Sequence, residues 1–85
     1  MLKERVVVQL KTGLHARPAA RFVQTASDFR CKITIEKGSN IVNAKSIMGI
    51  MALGVDQGEE IVIRTDGEDE KAALETLLEI LVSLE

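Results

Sequence analysis

From Arg5 to Leu10 apolar and polar positions alternate, with Val6, Val8 and Leu10 on one side and Arg5, Val7 and Gln9 on the other. A period of two marks a strand with one buried face, and it predicts a strand over residues 4–10. Past Gly13 the period changes to that of a helix over residues 16–27: Ala19, Phe22, Val23 and Ala26 share a face, while Arg17, Arg21, Gln24 and Ser27 point elsewhere. Alternation returns over residues 31–37, with Cys31, Ile33 and Ile35 inward and Lys32, Thr34 and Glu36 outward. Lys37-Gly38-Ser39-Asn40 reads as a turn, and Ile41-Val42-Asn43-Ala44 as a hairpin partner. Residues 60–65 give a fourth strand with Ile61 and Ile63 inward. Asp66-Gly67 turns the chain and Asp69 is an N-cap candidate. The acidic cluster Glu68-Asp69-Glu70 complements the helix start. The last helix is predicted over about residues 70–84, on a stripe of Leu74, Leu77, Leu78, Leu81 and Val82.

The order is β-α-β-β-α-β-α, an α+β domain. Four short strands with these few helices cannot supply the crossovers of a parallel sheet. A mainly antiparallel sheet with helices on one face and water on the other satisfies the pattern. The 85 residues allow one domain, residues 1–85, with one modest core.

Composition then narrows the chemistry. A net charge of −2 and only two aromatics, Phe22 and Phe29, disfavour a nucleic-acid binder. An RNA-binding sheet would need more than Arg5, Lys32 and Lys37, which Glu4 and Glu36 offset. The lone Cys31 cannot form an internal disulfide and is read as a packing residue; with one histidine, His15, no metal site is expected. Val6-Val7-Val8 is too short for a signal peptide's apolar region, so a cytoplasmic protein without membrane insertion is expected.

His15 sits where the strand period stops and the helix period starts, at or beside the N-cap, with Pro18 in the first turn. The first amides of a helix have no intrahelical acceptor, so those of Ala16 and Arg17, with the macrodipole, form an anion site. Arg17 adds a guanidinium fork suited to phosphate. A neutral imidazole is a nucleophile, and these groups would stabilise a phosphoryl group placed on it. No second carboxylate or imidazole lies nearby in sequence, which argues for a carrier acting inside a partner's active site. The bland alternative is a histidine that merely caps a helix.

Ser46 precedes an uncharged stretch through Leu53 that makes about two helical turns. Ile50 and Leu53 share a core-facing side; Ile47, Met48 and Met51 fall on another, which reads as an apolar docking strip. Gly49 permits close approach or fraying. Ser46 is first an N-cap. A phosphate added there would meet the positive end of the helix dipole and place about −2 charge beside the strip.

Gly13-Leu14-His15-Ala16-Arg17-Pro18-Ala19 resembles the phosphohistidine signature of the HPr family, phosphocarriers of the phosphoenolpyruvate-dependent sugar phosphotransferase system. Asn43-Ala44-Lys45-Ser46-Ile47-Met48-Gly49 resembles that family's regulatory-serine signature in its Gram-positive form. The likeness spans essentially the whole chain, including Val23-Gln24, Gly58 and Gly67-Glu68-Asp69-Glu70. It implies an open-faced β-sandwich with sheet order 1-4-2-3 and three helices on one face. It implies that His15 takes phosphate on Nδ1 from enzyme I and passes it to enzyme IIA domains, with Arg17 as phosphate partner and no cofactor. Such a chain is a carrier and co-substrate rather than a stand-alone enzyme. The resemblance also implies modification of Ser46 by HPr kinase/phosphorylase. The phosphoserine form would then serve catabolite control protein A, a LacI/GalR-type repressor, as corepressor in carbon catabolite repression. Gln9-Leu10-Lys11-Thr12-Gly13-Leu14 and Asn43-Ala44-Lys45 look like the Crh branch, which has glutamine at the active histidine position and only regulates. A Crh-like corepressor is therefore the alternative to a working carrier. A monomer is expected, with the strand-exchanged dimers of Crh as the other state.

Overall fold

The computed structural model describes residues 1–84. Seven elements follow in order: β1 (Leu2–Val7), α1 (Ala16–Ser27), β2 (Lys32–Lys37), β3 (Asn40–Asn43), α2 (Ile47–Leu53), β4 (Glu60–Asp66) and α3 (Glu70–Leu81). The four strands form one antiparallel sheet in the order β1-β4-β2-β3. In β2 and β4 alternate residues are buried: Ile33 and Ile35 face the same way as Ile61, Ile63 and Thr65. Their register, Ile35 opposite Ile63 and Ile33 opposite Thr65, brings these side chains into cross-strand rows. The rows meet Phe22 of α1, Ile50 of α2 and Leu77 and Leu81 of α3 in one core. Each such side chain, fully buried, is worth about 1.5–3 kcal/mol. The opposite sheet face carries Arg5 paired with Glu60 at 3.7 Å and Arg64 with Glu36 at 3.4 Å. It is a mixed-charge surface rather than a basic one.

Two boundaries differ from the periodicity. β1 stops at Val7 instead of continuing to Leu10. The ladder ends because the chain turns across the end of β4: Val8 N–H donates to the Glu59 carbonyl and Gln9 N–H to the Leu81 carbonyl, both within 2.9 Å. The alternation outlives the ladder, for Val8 and Leu10 are still fully buried. The Gln9 contact also explains the second difference. It occupies an orphan carbonyl at the end of α3, which stops at Leu81 rather than 84. Val82, read as part of the apolar stripe, is half exposed, and Ile80 takes the buried place.

Asp69 is at the N-cap position of α3, yet its side chain makes no cap hydrogen bond. Its two oxygens accept instead from the Arg30 and Cys31 amides, at 2.8 and 2.9 Å. A residue expected to start a helix thus also clamps the approach to β2. Among the described residues no helix is long and apolar enough to cross a membrane.

Candidate functional site

The loop between β1 and α1 carries His15 at the N-cap of α1. Its backbone is extended, as an N-cap requires, but its side chain makes no capping bond. The ring instead reaches across the fold: Nε2 lies 2.8 Å from Asp56 Oδ1. Among the described residues the other ring nitrogen, Nδ1, has no hydrogen-bond partner. The His15 side chain is 37% exposed, so that nitrogen is on a ring a partner can reach.

Asp56 is the residue that sequence reasoning missed. It is 41 positions from His15, so no local pattern joins them. No carboxylate accompanies the histidine nearby in sequence; this one is brought to it by the fold. The tertiary structure builds the contact from three pieces. Leu14 N–H donates to the Val55 carbonyl at 2.8 Å, which draws the histidine loop onto the segment after α2. Gly13 makes the approach sterically feasible: a Cβ there would lie 2.4 Å from the Val55 oxygen and 2.8 Å from Asp56 Cα. Its φ of +73° is also a value that suits glycine. Glu59 then holds the segment from the other side, its carboxylate accepting from Asp56 N–H at 2.7 Å and from Lys37 Nζ at 3.1 Å. The Asp56 amide first and the Lys37 ammonium second keep the Glu59 carboxyl below the usual carboxylate range.

Ala16 and Arg17, read as the phosphate-binding pair, directly follow His15 as the first two residues of α1 and are exposed. Ala16 departs from the expected regular first turn. Its φ is +48°, the one non-glycine residue in the left-handed region among those described. Such a conformation costs about 1–3 kcal/mol and persists only where its surroundings impose it. Arg17 has no ion-pair partner among the described residues. It borders a groove of about 480 Å³ with Leu10, Thr12, Ala16, Pro18, Arg21 and Ile80. The arrangement offers a partly exposed imidazole with one open nitrogen at a helix N-terminus, and two residues on an arginine without an ion-pair partner among the described residues.

Ser46 caps α2, its Oγ accepting from Gly49 N–H at 3.1 Å. Gly49 allows close approach: a Cβ there would lie 3.3 Å from both Ser46 Oγ and Val42 Cβ. Ile50 and Leu53 are buried, while Ile47, Met48 and Met51 remain exposed, Met48 by 80%. The sequence separated these two strips correctly, because a two-turn helix lying on a sheet can bury only one side. α2 ends at Gly54 in the left-handed conformation, two residues before Asp56. One short helix therefore has Ser46 at its start and the partner of His15 just past its end.

Cys31 is buried, as its inward alternation predicts. Burial, and then the Asp69 carboxylate beside it, push its thiol up to about 11.

Residues 2–83 match the family model described as PTS HPr component phosphorylation site. The chain is 53% identical over 78 residues to the HPr-like protein Crh of Halalkalibacterium halodurans, covering 92% of this chain and 93% of that one. It is 48% identical over 80 residues to the phosphocarrier protein HPr of Xylella fastidiosa, covering 94% and 90%. The crystal structure of HPr-C-His from Thermoanaerobacter tengcongensis superimposes with a TM-score of 0.93 at 51% identity, over 95% of this chain and 91% of that one. The sheet order, the open-faced sandwich and the match along nearly the whole length agree, and the chain belongs to the HPr family of phosphotransferase-system components.

Proposed function

We propose that this chain is a phosphoryl carrier of the phosphotransferase system, accepting the group from enzyme I on His15 and delivering it to enzyme IIA domains. The observation that carries the reading is the state of the His15 ring: half-exposed, with Nε2 occupied by Asp56 and Nδ1 open. An open, unprotonated nitrogen is the nucleophile that an in-line displacement requires. The Nδ1 lone pair forms the new N–P bond as the donor's bond to phosphorus breaks, its electron pair leaving with the donor. Arg17 and the Ala16 and Arg17 amides meet the incoming charge. The Ile47, Met48 and Met51 strip serves as the docking surface on which a partner seats itself.

Ser46 is the regulatory position in this reading. Its hydroxyl stands at the α2 N-terminus next to the docking strip, so a phosphate there changes the strip's charge without removing its apolar side chains. HPr kinase/phosphorylase would add it, and catabolite control protein A would read it.

The second reading is a Crh-like regulator that uses Ser46 alone. It is favoured by the 53% identity to a protein of that name and opposed by the presence of His15. One experiment separates them. Phosphoenolpyruvate with enzyme I is expected to give an acid-labile phosphate on the wild-type chain and none on His15→Ala. Absence of that label with a cognate enzyme I overturns the carrier reading and leaves the regulator.

A further inference from the structure

The carboxylate on the far side of the His15 ring has chemical consequences for both halves of a transfer cycle. An ionised carboxylate only accepts hydrogen bonds. At 2.8 Å from Nε2 it therefore requires the ring proton to be on that nitrogen, which leaves the lone pair on Nδ1. From the geometry we propose that Asp56 is a positioning residue for phosphoryl transfer, fixing the Nε2–H tautomer of free His15 and pairing with the imidazolium formed when Nδ1 carries phosphate. The inference rests on the carrier reading for its biological setting, but its chemistry belongs to the two side chains alone.

The electron count is simple. When Nδ1 attacks, its lone pair becomes the N–P bond, and the ring gains a positive charge while keeping the Nε2 proton. Asp56 already faces that proton, so no group has to move to meet the new charge. In the return step the N–P bond breaks and its pair goes back to Nδ1. The leaving group is then a neutral imidazole with its proton still on Nε2. Without a partner holding that proton, the phosphorylated ring can lose it and would have to leave as an imidazolide, a far poorer leaving group. One carboxylate thus serves acceptance and donation alike, and no proton changes hands in either direction.

The mounting of Asp56 fits this task. Its side chain is 75% exposed, so burial does not fix it. What is placed is its backbone: Glu59 holds its amide, Val55 is bonded to Leu14, and Gly13 is packed against its Cα. Main-chain contacts tie the two loops together and set the backbone position from which the carboxylate reaches the ring. Lys37, whose ammonium reaches this segment, bonds to Glu59 and to the Gly54 carbonyl rather than to Asp56.

Phosphoramidate supplies a test that needs no partner protein. It transfers its phosphoryl group to imidazole nitrogen, and ammonia departs with the electron pair of the broken P–N bond. With the wild-type chain we expect phosphorus and nitrogen NMR to show the Nε2–H tautomer before reaction and phosphate on Nδ1 alone afterwards. With Asp56→Ala we expect both tautomers, both phosphorylated isomers, and a rate on Nδ1 lower by about threefold to tenfold, as for loss of a charge-assisted bond at a solvated site. Asp56→Glu should restore most of the Nδ1 preference. An Asp56→Ala chain that reacts at the wild-type rate and only on Nδ1 overturns the proposal. If wild type follows the expected course with phosphoramidate yet is not labelled by enzyme I, the carrier reading falls and the role of Asp56 stands.

Discussion

Leu14 N–H donates to the Val55 carbonyl at 2.8 Å, and through that bond the loop holding His15 is joined to the segment that follows the Ser46 helix. Gly13 lies at the junction, with no room for a Cβ. Gly13→Ala is therefore expected to force the two loops apart. Its strained φ and the clash with backbone should lower stability by about 1–3 kcal/mol. The His15–Asp56 bond should be lost with it, seen in denaturant unfolding and in the imidazole nitrogen shifts.

Arg17 has no ion-pair partner among the described residues and is exposed. Arg17→Glu should leave the thermal midpoint unchanged. It should slow phosphorylation by enzyme I by at least tenfold, since it replaces an attractive charge at the anion site with a repulsive one. A large loss of thermal stability would instead mark Arg17 as structural.

Ser46→Ala removes a cap that Gly49 N–H now uses. The expected cost is about 1 kcal/mol in unfolding free energy, with the fold retained. Incubation with ATP and HPr kinase/phosphorylase should label the wild-type chain with acid-stable phosphate and leave Ser46→Ala unlabelled. Equal labelling of both would move the regulatory site elsewhere.

Acid should weaken the fold at three carboxylates. Glu59 is held low by the Asp56 amide, Asp69 by the Arg30 amide, and Glu70 by the Gly67 amide and then the N-terminus. Each folded value lies below its ordinary one, 4.5 for the glutamates and 3.8 for the aspartate. Stability from these groups is then fully present above about pH 5 and lost as pH falls through their depressed values. Urea midpoints measured from pH 6 to pH 2 should fall across the acid end, and the fall should be shallower in Asp69→Asn.

Much of the fold was legible because burial on one side of a strand or helix leaves a local period. Spacing alone puts Phe22, Ile35, Ile63 and Leu77 on core-facing sides, and each is fully buried. The element ends were less legible where a distant backbone decided them. Gln9 N–H reaching the Leu81 carbonyl closes both β1 and α3, and nothing near Leu81 in sequence announces it. Asp69 was legible as a helix-start residue, but its clamp on Arg30 and Cys31 spans 38 or 39 positions.

The sequence by itself determined the secondary-structure order, the two faces of each element, and the placement of His15 and Ser46 at helix starts. These follow from short-range sterics, periodicity and capping, which depend only on neighbours. The tertiary structure alone decided which nitrogen of His15 is held and which is open. That outcome depends on a carboxylate 41 residues away, brought within 2.8 Å by a glycine without a Cβ and a loop pinned by Glu59. Contacts of that range leave no periodic trace, because they arise only when sheet order β1-β4-β2-β3 brings the loops to one end of the domain.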